Sequence, residues 1–104
     1  MSKALDLSLF VNQTLDITLP DGDVIKVKKP TEKGVMKLMA LQQTDEEHAF
    51  EAMNDLVLFI LNSNKEGKQF SQDWVDDNLD WSMKTAVIQA YSEFINELQS
   101  NPNS

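Results

Sequence analysis

The chain has no cysteine and no arginine among its 104 residues, and it has only three glycines, three prolines and one histidine. Each scarcity excludes something. Without cysteine there is no disulfide, no thiolate zinc site and no thiol nucleophile. A single histidine cannot build a multi-histidine metal site. Arginine is the usual fork for phosphates and guanine edges, and its absence, with a net charge of -8, disfavours binding to DNA or RNA. The longest apolar run, Leu56 to Leu61, falls far short of the roughly 20 residues of a membrane span. Met1-Ser2-Lys3 opens without the apolar core of a secretory signal, so a soluble cytoplasmic protein with no membrane partner is expected. There is no Gly-x-Ser-x-Gly elbow, no glycine-rich phosphate loop and no EF-hand spacing. No cofactor, metal or catalytic residue is expected.

What is present suffices for one folded domain. Apolar residues make up 41% of the chain and charged residues 25%, enough to bury a core at this length. The charge is unevenly placed. Residues 1–43 carry six lysines and five acids, a balance of +1, whereas residues 44–104 carry three lysines and twelve acids, a balance of -9. Such polarity can orient association with a partner or a second copy.

The pattern divides the chain into an N-terminal arm (1–13), a β-hairpin (14–29), a helical domain (31–99) and a frayed tail (100–104). In the arm, Leu5, Leu7, Leu9 and Val11 alternate with polar residues until Phe10 breaks the series. It reads as an extended arm or a short helix. Thr14 to Leu19 and Val24 to Lys28 alternate as strands do. A two-residue Asp-Gly loop would pair Ile17 with Lys26 and mix the faces. A three-residue Pro20-Asp21-Gly22 loop pairs Ile17 with Ile25, Leu15 with Val27 and Asp16 with Lys26, with Gly22 where positive φ is needed. An isolated hairpin is marginal, so its apolar face must lie on the helices.

Pro30 stops the second strand and Thr31 caps a helix to about Gln42, weakened by Gly34. Thr44-Asp45-Glu46-Glu47 reads as a capping box opening a helix to about Asn62. Ser63 to Lys68 reads as a polar loop, the one linker-like stretch. Ser71 caps a short helix with Trp74 and Val75, and Asp80 caps the last, from Trp81 to about Gln99. On that helix Met83, Val87, Ala90, Tyr91, Phe94, Ile95 and Leu98 fall in one arc. The expected fold is a small α+β single domain, mainly α with an N-terminal hairpin and three to four helices.

His48 reads as an exposed helical histidine. Asp73, Asp76, Asp77 and Asp80 read as helix-start acids rather than a cation site. Lys26, Lys28 and Lys29 read as the solvent side of a strand. The anomaly is Leu56 to Leu61. Ala49, Met53, Leu56, Val57 and Ile60 make one stripe, while Leu58 points nearly opposite and Phe59 sits on a flank. A helix apolar all round is sandwiched within its fold or covered by a partner. Trp74 and Trp81, seven residues apart, are core anchors or interface residues.

The stretch Thr14-Leu15-Asp16-Ile17-Thr18-Leu19-Pro20-Asp21-Gly22, then Val24-Ile25-Lys26-Val27-Lys28-Lys29-Pro30-Thr31-Glu32, leads to Val35-Met36-Lys37-Leu38-Met39, a long apolar helix and an aromatic-rich terminal helix. This layout resembles the tail assembly chaperones of long-tailed, siphovirus-type phages of Gram-positive bacteria. The resemblance implies a non-enzymatic, non-virion protein that binds the tape measure protein during tail assembly and can self-associate. It also implies an extended form, made by ribosomal frameshifting, that recruits tail tube subunits. The expected protein-binding residues, read from the apolar pattern, are Leu58 and Phe59, joined by Met36, Trp74 and Trp81. A different expectation follows from charge alone, an acidic DNA-mimic inhibitor of a host enzyme.

Overall fold

The computed structural model describes residues 4, 5, 7 and 13–100. A two-stranded antiparallel hairpin, β1 (Thr14–Thr18) and β2 (Val24–Lys28), precedes four helices, α1 (Glu32–Gln43), α2 (Glu46–Asn62), α3 (Gln72–Asn78) and α4 (Trp81–Ser100). The choice between an extended arm and a short helix for residues 1–13 falls mostly outside the described residues. Of the frayed tail expected at 100–104, Ser100 instead closes α4, and residues 101–104 lie outside the described residues.

The hairpin takes the register that keeps its faces separate. Leu15 pairs with Val27, Asp16 with Lys26 and Ile17 with Ile25. The turn closes through the Gly22 N–H donating to the Leu19 carbonyl at 2.9 Å, with Gly22 at φ 95°. Glycine meets that angle without a Cβ penalty. Ile25 and Val27 are fully buried against the helices, while Leu15 and Ile17 on the outer strand are only half-buried.

The segment after α2 is not a linker. The Lys28 N–H donates to Ser63 O at 2.8 Å, the Lys65 N–H to Lys26 O at 2.9 Å, and Val27 and Asn64 form an antiparallel bridge. The loop thereby covers the outer edge of β2. Buried Asn64 fixes it by donating to the Leu61 and Lys68 carbonyls, both at 2.8 Å, while its own oxygen accepts from the Lys68 N–H at 2.9 Å. A polar composition conceals this, because the ordering comes from one amide satisfying several backbone groups.

Helix boundaries follow their caps. Thr31 accepts from the Gly34 N–H and Ser71 from the Trp74 N–H. Asp80 accepts from the Met83 N–H at 2.9 Å. The capping box shifts by one residue. Asp45 is the N-cap of α2, accepting from the His48 N–H at 3.0 Å, while the Thr44 hydroxyl turns back to the Ala40 carbonyl and closes α1.

At the centre lies α2, packed by α1, α3, α4 and β2. Met53, Leu56, Val57, Ile60 and Leu61 are buried on it. Its neighbours on several sides explain why its sequence is apolar nearly all round. Two contacts fix helix directions. Lys37 meets Asp55 at 2.8 Å and Gly34 abuts Phe59, so α1 runs antiparallel to α2. Phe50 meets Trp81 while Phe59 and Tyr91 both reach Gly34, so α2 and α4 run the same way. On α4, Val87, Tyr91, Phe94 and Ile95 are buried, as the helical arc predicts, but Met83 is exposed. Lys84 takes a core-side position instead, its stem buried and its ammonium 3.0 Å from Asp76 on α3. Long stems of this kind bury their methylenes and keep the charge at the rim.

Candidate partner-binding surface

The five residues expected to form a surface divide into two groups. Leu58, expected as free apolar surplus, is half-buried and packed on the core. Phe59 is half-buried too. It lies against Gly34, with the Lys33 and Lys37 ammoniums 6.0 and 5.5 Å from its ring centre. Trp74 is half-buried against the core, its ring 4.7 Å from that of Phe70. The reason is topological: α2 is the middle helix, so its second and third faces also meet neighbours.

Met36 and Trp81 remain outside. Met36 is 61% exposed and shares the outer face of α1 with exposed Met39. Trp81 is 57% exposed and Phe50 56%, and the two rings lie 5.3 Å apart at 39°. Phe50 escaped the sequence reading. Its angle on the α2 wheel coincides with the core stripe, but it stands in the second turn, next to Trp81 at the very start of α4. A wheel gives direction around an axis and not how far along it the neighbouring helices reach.

Two large aromatic side chains more than half exposed, touching each other, are unusual for a chain whose core is otherwise filled. Aromatic pairs of this kind dominate helix-binding hot spots because they offer large area with few rotatable bonds. The same two turns of α2 bear exposed Glu46, Glu47 and Glu51. The apolar pair is therefore bordered by carboxylates.

The titratable groups elsewhere are structural. Asp76 is held below the ordinary carboxylate value by its hydrogen bond from Lys84, with Gln72 assisting. Asp80 is lowered by the Met83 N–H and the Ser82 hydroxyl it accepts from. Burial raises the Tyr91 phenol. His48 rests its Nδ1 on Asp45, 2.8 Å away, and both are exposed. Among the described residues no group of three or more His, Asp or Glu side chains is placed to hold a metal ion, and no helix is long and apolar enough to cross a membrane.

Concave features are present as well, among them an open pocket on α1 lined by Glu32, Lys33, Met36, Lys37 and Ala40. A groove of about 340 Å³ runs between β1 and α4, walled by Asp16 to Pro20 on one side and by Met83, Ala86, Val87 and Ala90 on the other. Comparison with protein-family models, curated proteins and solved structures finds no match to this chain.

Proposed function

We propose that this chain is a tail assembly chaperone of a long-tailed phage, which binds helices of the tape measure protein in the host cytoplasm through Phe50, Trp81 and the methionine face of α1. An extended form would carry the contact to tail tube subunits. The role is binding, with no enzymatic step. The observation that carries the reading is the Phe50–Trp81 pair, two rings in contact at a 39° tilt and each more than half exposed. A tape measure protein is long and helical, and it needs its apolar stripes covered until the tube encloses it. A partner for it requires apolar anchors at helical spacing and enough charge to keep the complex dissolved. Met36 and Met39 add an adaptable surface, since methionine fits irregular partners. The sequence resemblance supports the same assignment.

The test is co-expression with a phage tape measure protein. The wild-type chain should co-purify with that protein, and Phe50→Ser/Trp81→Ser should not, although it folds. Salt separates this reading from an acidic DNA mimic. An apolar contact persists at about 1 M salt, where the screening length falls to roughly 3 Å, whereas a mimic held by charge dissociates. Salt-induced release, or co-purification by the double variant, overturns the proposal.

A further inference from the structure

Two sets of exposed apolar side chains lie within reach of each other at the start of α1. One is on the helix itself, where Met36 and Met39 face water and a pocket of about 480 Å³ opens between Glu32 and Ala40. The other is in the N-terminal arm, where Leu5 is 77% and Leu7 66% exposed. Between positions 5 and 11 the arm holds five large apolar residues, Leu5, Leu7, Leu9, Phe10 and Val11. Topology roots it beside α1. Thr14, just past the arm, pairs with Lys28, and only Lys29, Pro30 and Thr31 separate Lys28 from the first residue of α1. Even a fully extended connection leaves Met36 within about 25 Å of Thr14, whereas the chain from Thr14 back to Leu5 spans up to about 30 Å. The Phe50–Trp81 pair stands at the other end of the helices. Val27 on β2 bridges to Asn64 just past the end of α2, while Phe50 is in the second turn of that helix.

We infer that the arm is the cover of this face: the chain's own residues 1–12 close over α1 and seat Leu5 and Leu7 in the pocket, against Met36 and Ala40. Both sets face water in the described conformation, so each loses apolar exposure when they meet. The tether favours that meeting. A short link sets an effective concentration on the order of millimolar, so a contact too weak to hold a free peptide still closes. The lining suits aliphatic guests. Met36 adapts to either leucine, and Ala40 leaves a shallow floor. The Lys33 and Lys37 ammoniums are drawn aside toward the Phe59 ring, at 6.0 and 5.5 Å from its centre, which leaves their methylene stems to wall the pocket. The proposed function gives the same face to a partner, which makes the arm its competitor. That consequence rests on the functional reading, whereas the capping itself does not.

The test uses the full chain alone. It has no cysteine, so Ala4→Cys carries a nitroxide at a single place, while ¹³C-methyl methionine reports each methionine separately. The nitroxide should broaden the signals of Met36 and Met39 and spare Met83, which lies beside the hairpin turn at the start of α4. Leu5→Ser/Leu7→Ser, at two exposed positions, should abolish the broadening and leave the amide spectrum of the fold unchanged. In the chain without the nitroxide, the same two substitutions should speed the oxidation of Met36 to its sulfoxide by dilute peroxide at least about threefold, read by mass spectrometry, because the rate follows the uncovered fraction. The inference is overturned if Met36 and Met39 are not broadened, if the double variant keeps the broadening, or if its Met36 oxidises no faster. It is also overturned if ¹³C-labelled chains lacking the nitroxide are broadened by nitroxide-bearing chains mixed with them, since a second copy's arm is then the occupant. None of these readouts contains a partner protein, so failure here leaves the tape measure reading standing, and failure of that reading leaves the capping standing.

Discussion

Gly34 illustrates how one residue can mean opposite things in sequence and in structure. Helix propensity treats it as a defect, and alanine there would gain up to about 1 kcal/mol. In the fold a Cβ at position 34 would strike the hydroxyl of buried Tyr91 and press on Phe59. Gly34→Ala should therefore destabilise, by roughly 1–3 kcal/mol in urea unfolding. Adding Tyr91→Phe removes the obstructing oxygen and should recover much of that loss, a coupling a double-mutant cycle would read directly. The pH dependence has its origin at the same scale. Asp76 and Asp80 titrate below the ordinary 3.8 in the folded chain, so both contribute stability above that value. The contribution is lost as pH falls from 3.8 through their folded values, because the unfolded chain then binds protons first. Thermal unfolding should show the melting temperature of the wild type falling through that window. Asp80→Asn, which keeps a capping oxygen, should fall less steeply. The caps were legible from sequence because a cap needs only a side-chain oxygen and its neighbours in the chain. The Gly34–Tyr91 contact was not, since the two residues are 57 positions apart.

Elements were legible where one local rule decided them. The hairpin register follows from keeping Ile17, Ile25, Leu15 and Val27 on one face, and the structure has that register. Its helices begin where Thr31, Ser71 and Asp80 can cap them. Two elements needed tertiary information. The Ser63–Lys68 loop looks like a spacer but is tied down by Asn64. Asn64→Ala leaves the Lys68 N–H and two carbonyls without that partner, and chemical denaturation should register a loss of about 1–3 kcal/mol. The apolar run on α2 looks like unclaimed surface but is shared among four neighbours. Leu58→Ser/Phe59→Ser should accordingly lower stability by several kcal/mol, in the range of roughly 2–5 for truncated core residues. Calorimetry that showed that variant as stable as the wild type would return Leu58 and Phe59 to the list of binding residues.

For the whole molecule, the uneven charge and the exposed apolar pair lie together. The acidic segment from residue 44 onward contains α2 and α4, whose first two turns present Phe50 and Trp81. The fold thus places its two exposed aromatic side chains at one end of two parallel helices, in the acidic part of the chain, while further exposed apolar side chains such as Met36 and Met39 lie on α1. Trp81 is itself a reporter of this end, since Trp74 can be replaced by Phe. The most direct measurement is a fluorescence titration of the Trp74→Phe chain with a tape measure protein, the partner proposed for it. The account predicts a saturable blue shift of Trp81 emission, and affinity at least about thirtyfold weaker when Phe50 is changed to Ser, equivalent to roughly 2 kcal/mol. Binding that leaves Trp81 emission unmoved, or that survives loss of Phe50 undiminished, would contradict it.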